Sequence, residues 1–255
     1  MIDPTSIVLK RFPWLNEEAD VVFASSGRTV RQFQAHEDIL STQWPAPGVY
    51  AICSGFACRY AVLANGQRQI MGFVLPGDLC DPRAAVFDRV DYSVAALRPV
   101  EAVLVPSDYF STLTGSSASF LRSLWRVTAI DDAIDRQWLL NIGQRNALER
   151  IAHLLCELYT RLQAVGLADQ QGCNFPLTQT ELAEATALST VHVNRVLMEL
   201  RHLGLISLRR QRLTIHDDDG LRTVAGFSPD YLSARELRKP GTGRTLPASI
   251  ALVSS

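Results

Sequence analysis

Thr190, Val191, His192, Asn194 and Arg195 follow one another closely, and most of them are short or able to donate or accept a hydrogen bond. Carried on the first turns of one helix, they would form a surface for reading base edges. Arginine spans both major-groove acceptors of guanine, and a helix N-terminus attracts phosphate. Arg209, Arg210 and Arg212 come soon after and bring three guanidinium groups together, which suits phosphate contact. Over residues 178–216 five arginines stand against three carboxylates, a local excess in a chain whose formal net charge is -1.

Those side chains need elements to hold them. Thr178 followed by Glu181 is a capping box that starts one short helix, and Ser189 is a good cap for a second. Only a tight turn at Ala187-Leu188 fits between them, so the helices cross steeply. Ala183 stands at their approach, and Leu182, Leu188, Val193, Val196 and Leu197 supply a shared interior. The pattern predicts a helix-turn-helix. Leu203-Gly204-Leu205-Ile206 ends the second helix, and two strands around Arg210-Gln211 predict a basic wing. The alternative is a three-helix packing unit that does not touch DNA.

The chain has 255 residues, 25 basic and 26 acidic side chains, and 47% hydrophobic residues. This apolar share excludes extended disorder, and the length suffices for one large domain or two modest ones. No uncharged apolar run is long enough to span a membrane and no secretory pattern opens the chain, so a cytoplasmic setting is expected. Cys53, Cys58, Cys80, Cys156 and Cys173 are odd in number and irregularly spaced, against a disulfide framework. Cys53, Cys58 and Cys80 with His36 could form a metal site, but buried thiols acting as small hydrophobes are the cheaper explanation. The pairs Asp78 with Asp81 and Glu17 with Glu18 lack a histidine or metal-ligand partner at useful spacing. Ser54-Gly55 lacks a nucleophile-elbow context, and no glycine-rich phosphate loop carries either of the two lysines, Lys10 and Lys239. No enzymatic role is expected.

Phe12, Leu15, Ala19, Val22 and Phe23 predict a helix over 7–24, with Asn16 before Glu17-Glu18 as an internal start. Short strands are expected at 29–33, 49–54, 56–63, 69–74, 92–96 and 101–106, separated by Ala46-Pro47-Gly48, Asn65-Gly66 and Pro76-Gly77-Asp78. Asn65-Gly66 predicts a two-residue hairpin turn with positive φ at both positions. Strands in this number without intervening helices argue for a closed sandwich or barrel. From Ser107 to Ala164 the pattern is helical. Phe120, Leu124, Val127, Asp131, Ile134 and Trp138 recur in steps of four and three, the spacing of a seam. That helix either packs on its own domain or, in the favoured reading, pairs with its copy in a symmetric dimer. Gly143 breaks it, and Leu148, Ile151, Leu155 and Leu158 mark another helix over 147–161. The expected division is a β-roll sensor at 1–115, a dimerisation helix and hinge at 116–145, a winged helix-turn-helix at 146–220 and an extension at 221–255. The fold class is α+β. In the extension, residues 221–225 and 231–237 would cover the domain, and Lys239 opens a loose tail.

Two stretches, LTQTELAEATALSTVHVNRVLMELRHLGLI at 177–206 and SGFACRYAVLANGQRQIMGFVLPGDLCD at 54–81, carry a family resemblance. They resemble the DNA-binding signature and the β-roll of the cyclic-AMP receptor protein and fumarate-nitrate regulator (Crp/Fnr) family of bacterial transcription factors. The resemblance covers roughly residues 10–216. It implies a cyclic-nucleotide-binding-like jelly roll, a long dimer helix and a winged helix-turn-helix, with double-stranded DNA, a second copy of the chain and RNA polymerase as partners. It implies DNA contact by Thr178, Ser189, Thr190, Val191, His192, Asn194, Arg195, Arg209, Arg210 and Arg212, and an effector pocket around Gly77, Asp78, Asp81, Arg83, Tyr92 and Ser93.

Within that resemblance Arg195 corresponds to the arginine that reads guanine. Val191 stands where many relatives carry a glutamate that accepts from cytosine N4, so the half-site should change there, toward a thymine methyl contact. Ala187 replaces the usual turn glycine. Relatives that bind cyclic nucleotide have Gly-Glu where this chain has Asp81-Pro82 and arginine where it has Tyr92. The phosphate would lack its cation unless Arg83 or Arg89 supplied it from a shifted loop. No cysteine precedes Cys53, against an amino-terminal iron–sulfur cluster, and His36 is either a surface side chain or a haem ligand. No cofactor is implied and the effector is unknown. The expected function is sequence-specific regulation by a homodimer on a palindromic promoter site. A sensor or scaffold dimer that does not bind DNA, and a cyclic-nucleotide-dependent regulator, are the alternatives.

Overall fold

The structure, a computed structural model, describes residues 4–13, 29–85, 87 and 89–233. It opens with α1 (Pro4–Arg11) and continues through β1 (Thr29–Phe33), β2 (Asp38–Leu40), β3 (Gly48–Ser54), β4 (Ala57–Val62), β5 (Arg68–Val74), β6 (Ser93–Ala96) and β7 (Val100–Pro106). The strands pair antiparallel in two sheets, ordered β1-β7-β3 and β2-β6-β4-β5. The expected helix over 7–24 instead begins at Pro4 and stops at Arg11, and Leu15, Ala19, Val22 and Phe23 lie outside the described residues.

Strand alternation builds two apolar layers from one segment. In β3, Tyr50 and Ile52 enter the interior between the sheets with Phe33, Val74, Val94 and Leu104. Val49, Ala51 and Cys53 enter a second core, beneath the helices, with Ile7, Val8, Val103 and Val105. A strand covered on both faces reads as a continuous apolar run, which is what β3 shows. The β4–β5 hairpin forms as expected, but its turn differs. The Gly66 N–H donates to Leu63 and the Leu63 N–H to Gln67, so the loop is Ala64, Asn65 and Gly66, with positive φ at Gly66 alone. One extra loop residue lets Asn65 stay right-handed and leaves only the glycine in the left-handed region.

Beyond the sheets come α2 (Ser107–Ser116), α3 (Ala118–Gly143), α4 (Ala147–Ala164), β8 (Ala168–Asp169), β9 (Gly172–Asn174), α5 (Gln179–Thr186), α6 (Thr190–His202), β10 (Ile206–Arg209), β11 (Arg212–Ile215) and α7 (Asp218–Ala225), then a 3-10 turn at Pro229–Leu232. A third sheet has the order β10-β11-β9-β8, so the wing is two strands longer than expected. Asn146 caps α4 in a full capping box with Glu149.

The expected dimer seam needs correction. Phe120, Val127, Ile134 and Trp138 are buried in their own chain, and Leu124 is packed against the same core. The Phe120 ring lies 5.3 Å from Phe110 and Trp138 lies 5.7 Å from Phe73, while Asp131 reaches Arg59 of β4. Steps of four and three mark any face a helix keeps turned to one side, and here that side is the β-roll. The apolar side chains that α3 leaves exposed are Leu121, Trp125, Leu139, Leu140 and Ile142.

A buried ion network ties these parts together. Asp78 accepts from Arg161 of α4 at 2.5 Å and from Arg11 of α1 at 3.2 Å. Arg161 also donates to Glu157 at 3.2 Å, and Glu157 accepts from Trp138 Nε1 and from the Tyr231 hydroxyl. Burial would raise the Asp78 pKa, but Arg161 and Arg11 hold it below its ordinary value. Burial lifts Glu157 above its own, against the pull of Arg161 and the two hydrogen bonds. Replacing Asp78 by alanine takes the carboxylate from buried Arg11 and leaves buried Arg161 with Glu157 alone, and is expected to cost about 3–5 kcal/mol in urea denaturation. Glu157→Gln leaves Arg161 its tighter partner and should cost about 1 kcal/mol. The reverse order would mean that Glu157, not Asp78, anchors the network.

Candidate nucleic-acid interface and sensor pocket

The helix-turn-helix starts where the sequence places it. The Thr178 Oγ1 accepts from the Glu181 N–H at 3.1 Å, and the Glu181 carboxylate accepts from the Thr178 N–H at 2.6 Å. α5 ends at Ala187, a non-glycine residue held left-handed at φ 53°, from which the chain turns at once into α6. This conformation costs about 1 kcal/mol that glycine would avoid. Ser189 caps α6 by accepting from the His192 N–H at 3.2 Å. Leu182, Val193, Val196 and Leu197 are buried between the helices, as expected, with Leu188 at the edge.

This packing turns the other face of α6 outward. Val191 is 69% exposed and Met198 60%, with Thr190, Asn194 and Arg195 exposed beside them and His192 half-buried. Thr190, Val191, Asn194, Arg195 and Met198 line an open cleft together with Gln179 of α5. The Asn194 amide donates to Gln179 Oε1 at 3.2 Å, so Gln179 orients a side chain expected to read DNA. Met198 and Gln179 were not singled out from the sequence. Met198 stands seven residues after Val191 and three after Arg195, the spacing of one helix face.

Arg210 and Gln211 form the wing turn, both with positive φ, at 48° and 62°. Arg209 and Arg210 are exposed. Arg212 does not join them as a free cation: it pairs with Asp169 of β8 at 2.8 Å. The hydrogen bond from Arg212 holds the Asp169 carboxyl below its ordinary pKa.

The helix-turn-helix is docked on the β-roll. Arg98, at the turn before β7, ion-pairs with Glu181 at 2.9 Å and donates to the Pro176 carbonyl. Gln69 of β5 donates to the Glu184 carbonyl at 2.7 Å, and Arg68 lies 3.7 Å from the Glu184 carboxylate. Arg150 closes the other end of α5 by donating to the Thr186 carbonyl at 2.7 Å.

The residues expected around an effector divide into two places. Gly77 and Asp78 lie in the interdomain network: a Cβ on Gly77 would come within 2.9 Å of Arg11 Cβ, and the Asp78 side chain is spent on two arginines. Ser93 accepts from the Thr42 N–H at 3.4 Å. Asp81, Arg83 and Tyr92 do come together, joined by Arg59 of β4 and by Asp131 and Asp135 of α3 around a cavity of about 60 Å³. Arg83 pairs with Asp81 at 3.0 Å and lies 5.3 Å from the Tyr92 ring centroid. Arg59, which no local sequence pattern marks, donates to Asp131 at 2.9 Å. Burial would lower the Arg59 pKa, yet Asp131 keeps it above its ordinary value. Cys53, Cys58 and Cys80 are buried, and burial pushes the Cys58 thiol up to about 12. Among the described residues no cluster of His, Cys, Asp and Glu is placed to hold a metal ion, and no helix is long and apolar enough to cross a membrane.

A winged helix-turn-helix joined through long helices to an antiparallel β-roll defines a DNA-binding regulator with a sensor-like domain. Two family profiles match the chain in that order: "Cyclic nucleotide-binding domain" over residues 30–117 and "Crp-like helix-turn-helix domain" over residues 149–224. The chain is 28% identical over 180 residues to the "Anaerobic regulatory protein" of Haemophilus influenzae, covering 70% of this chain and 69% of the relative. It is 27% identical over 182 residues to "Transcriptional activator protein FnrA" of Stutzerimonas stutzeri, covering 71% and 74%. In fold it is similar to FixK2 from Bradyrhizobium japonicum, with a TM-score of 0.71 and 23% identity over 79% of this chain and 98% of that one. The chain belongs to the Crp/Fnr family of transcriptional regulators.

The wing makes a quantitative test. Arg209→Ala and Arg210→Ala should each reduce the slope of log affinity against log salt by about 1, whereas Arg212→Ala should change it less because Asp169 already occupies that cation. Asp169→Asn frees Arg212 and should steepen the slope. Equal effects at the three arginines would show that the Arg212–Asp169 pair opens on DNA.

Proposed function

We propose that this chain acts in the cytoplasm as a homodimer on a palindromic promoter site, reading each half-site with α6 and holding the backbone with Arg209 and Arg210. The observation that carries this reading is the outward row of Val191, Asn194, Arg195 and Met198 on a capped helix beside a basic wing. Thr178, Ser189 and Thr190 stand at the helix starts, where backbone N–H groups favour phosphate. Exposed Leu121, Trp125, Leu139, Leu140 and Ile142 support α3 as the dimer helix, on a different face from the one its periodicity suggested. The division at 115, 145 and 220 follows the same reading, with the DNA-binding unit beginning near α4. RNA polymerase is the further partner, supported by relatives named as transcriptional activators.

Val191 sets the half-site. A valine methyl meets a thymine methyl and cannot accept from cytosine N4, so this base pair should be read by apolar contact. DNA selected by the untreated protein should yield a two-fold motif with half-sites roughly 34 Å apart and steeply salt-dependent binding. Val191→Glu should move the preference at one base pair of each half-site toward cytosine, by about 1–3 kcal/mol of discrimination. Arg195→Ala should abolish the motif while leaving salt-dependent binding. Unchanged function in Arg195→Ala would instead support a sensor or scaffold dimer that does not use DNA.

A further inference from the structure

The cavity between the β-roll and α3 is where a small effector would touch both the sensor and the helix that leads to the DNA-binding unit. At about 60 Å³ it is far below the roughly 300–1,000 Å³ of ordinary ligand pockets. Its two cations are already engaged. Arg59 donates to Asp131 at 2.9 Å, and Arg83 lies 3.0 Å from Asp81 and 3.8 Å from Asp91. Asp132 and Asp135 also line the space, so an entering phosphate would meet a surplus of carboxylate. Burial raises the Asp135 pKa above its ordinary value despite the attraction of Arg59.

The geometry of Arg59 and Asp131 is that of a bound anion on a buried cation, except that the anion belongs to the chain. The two side chains are 13% and 24% exposed, and among the described residues the Arg59 Nε finds no acceptor. A charge-assisted bond in this setting is strong, and removing either partner leaves a desolvated charge. Asp131 lies midway along α3, between Val127 and Ile134, which pack on the roll. The bond therefore fixes how α3 seats on β4.

We propose that Asp131 is the built-in anion of the sensor pocket, a positioning residue that seats α3 on Arg59 and keeps the chain competent for DNA without a small anionic effector. This rests on the regulator reading, and the test separates the two. Full-length wild type and Asp131→Ala are titrated against the DNA motif selected by the wild type, in sodium acetate and in sodium chloride of equal ionic strength, with and without 3′,5′-cyclic AMP.

Wild type is expected to bind equally in all conditions. Asp131→Ala should lose roughly tenfold in affinity in chloride and regain it in acetate, whose carboxylate fills the vacated place. Asp131→Ala combined with Arg59→Ala should not regain it, because no cation remains to hold the acetate. If Asp131→Ala fails to fold, Asp131→Ser, whose short side chain still leaves room for the acetate carboxylate beside Arg59, is scored by the same criteria. A wild type that requires cyclic AMP, a variant that binds like wild type, or a folded variant whose loss acetate does not relieve would each overturn the inference. A wild type that binds no DNA at all would overturn the regulator reading and the inference with it.

Discussion

Two buried arginines and two buried carboxylates, with a tryptophan and a tyrosine as the remaining donors, set the geometry on which the other contacts depend. Arg11 comes from α1, Asp78 from the loop after β5, Trp138 from α3, Glu157 and Arg161 from α4, and Tyr231 from the last turn. Buried charge is tolerated only when paired and hydrogen-bonded, so each element is constrained by the demands of the others. Apolar burial could join the same surfaces more cheaply, but it would permit them to slide. This network allows one arrangement. The apolar core beneath it likewise runs without interruption from Val49 and Val105 of the roll through Leu155 and Leu158 to Leu182 and Leu197.

Much of this was legible in the residues, and the failures share a cause. The caps at Thr178 and Ser189, the turn at Ala187-Leu188, the six longer roll strands and the outward side chains of α6 depend on local rules, and they lie where those rules place them. The short strands β2, β8 and β9 carry too few residues for alternation to register. The face of α3 was assigned to the wrong neighbour because periodicity states that a face is covered without stating what covers it. The family resemblance implies Gly77 and Asp78 in the effector pocket, yet Asp78 is spent on Arg11 and Arg161 while Asp81 turns to Arg83. Arg59 and Arg98 had no signal in a single sequence, since their roles exist only where distant segments meet.

Electrostatics sorts the arginines of this chain into distinct kinds of work. Arg11 and Arg161 are locked in the interior, Arg59 and Arg98 couple elements across junctions, and Arg209 and Arg210 remain in water. The guanidinium suits all three settings because it stays charged when buried and offers several donors in a fixed plane. A near-zero net charge therefore conceals a functional gradient. Cations toward the interior are neutralised by carboxylates of the same chain, and those at the wing tip are left for a polyanion.

One carboxylate joins the local and the global levels. Glu181 completes the cap of α5 through the Thr178 N–H and accepts Arg98 from the roll. The start of the helix-turn-helix and the docking of the sensor thus share a single group, and any change in one alters the free energy of the other. Thermodynamic linkage runs in both directions with equal magnitude. A duplex that binds the docked arrangement more tightly than an undocked one would then also favour the seated position of the roll, and the operator would act as a ligand of the sensor domain.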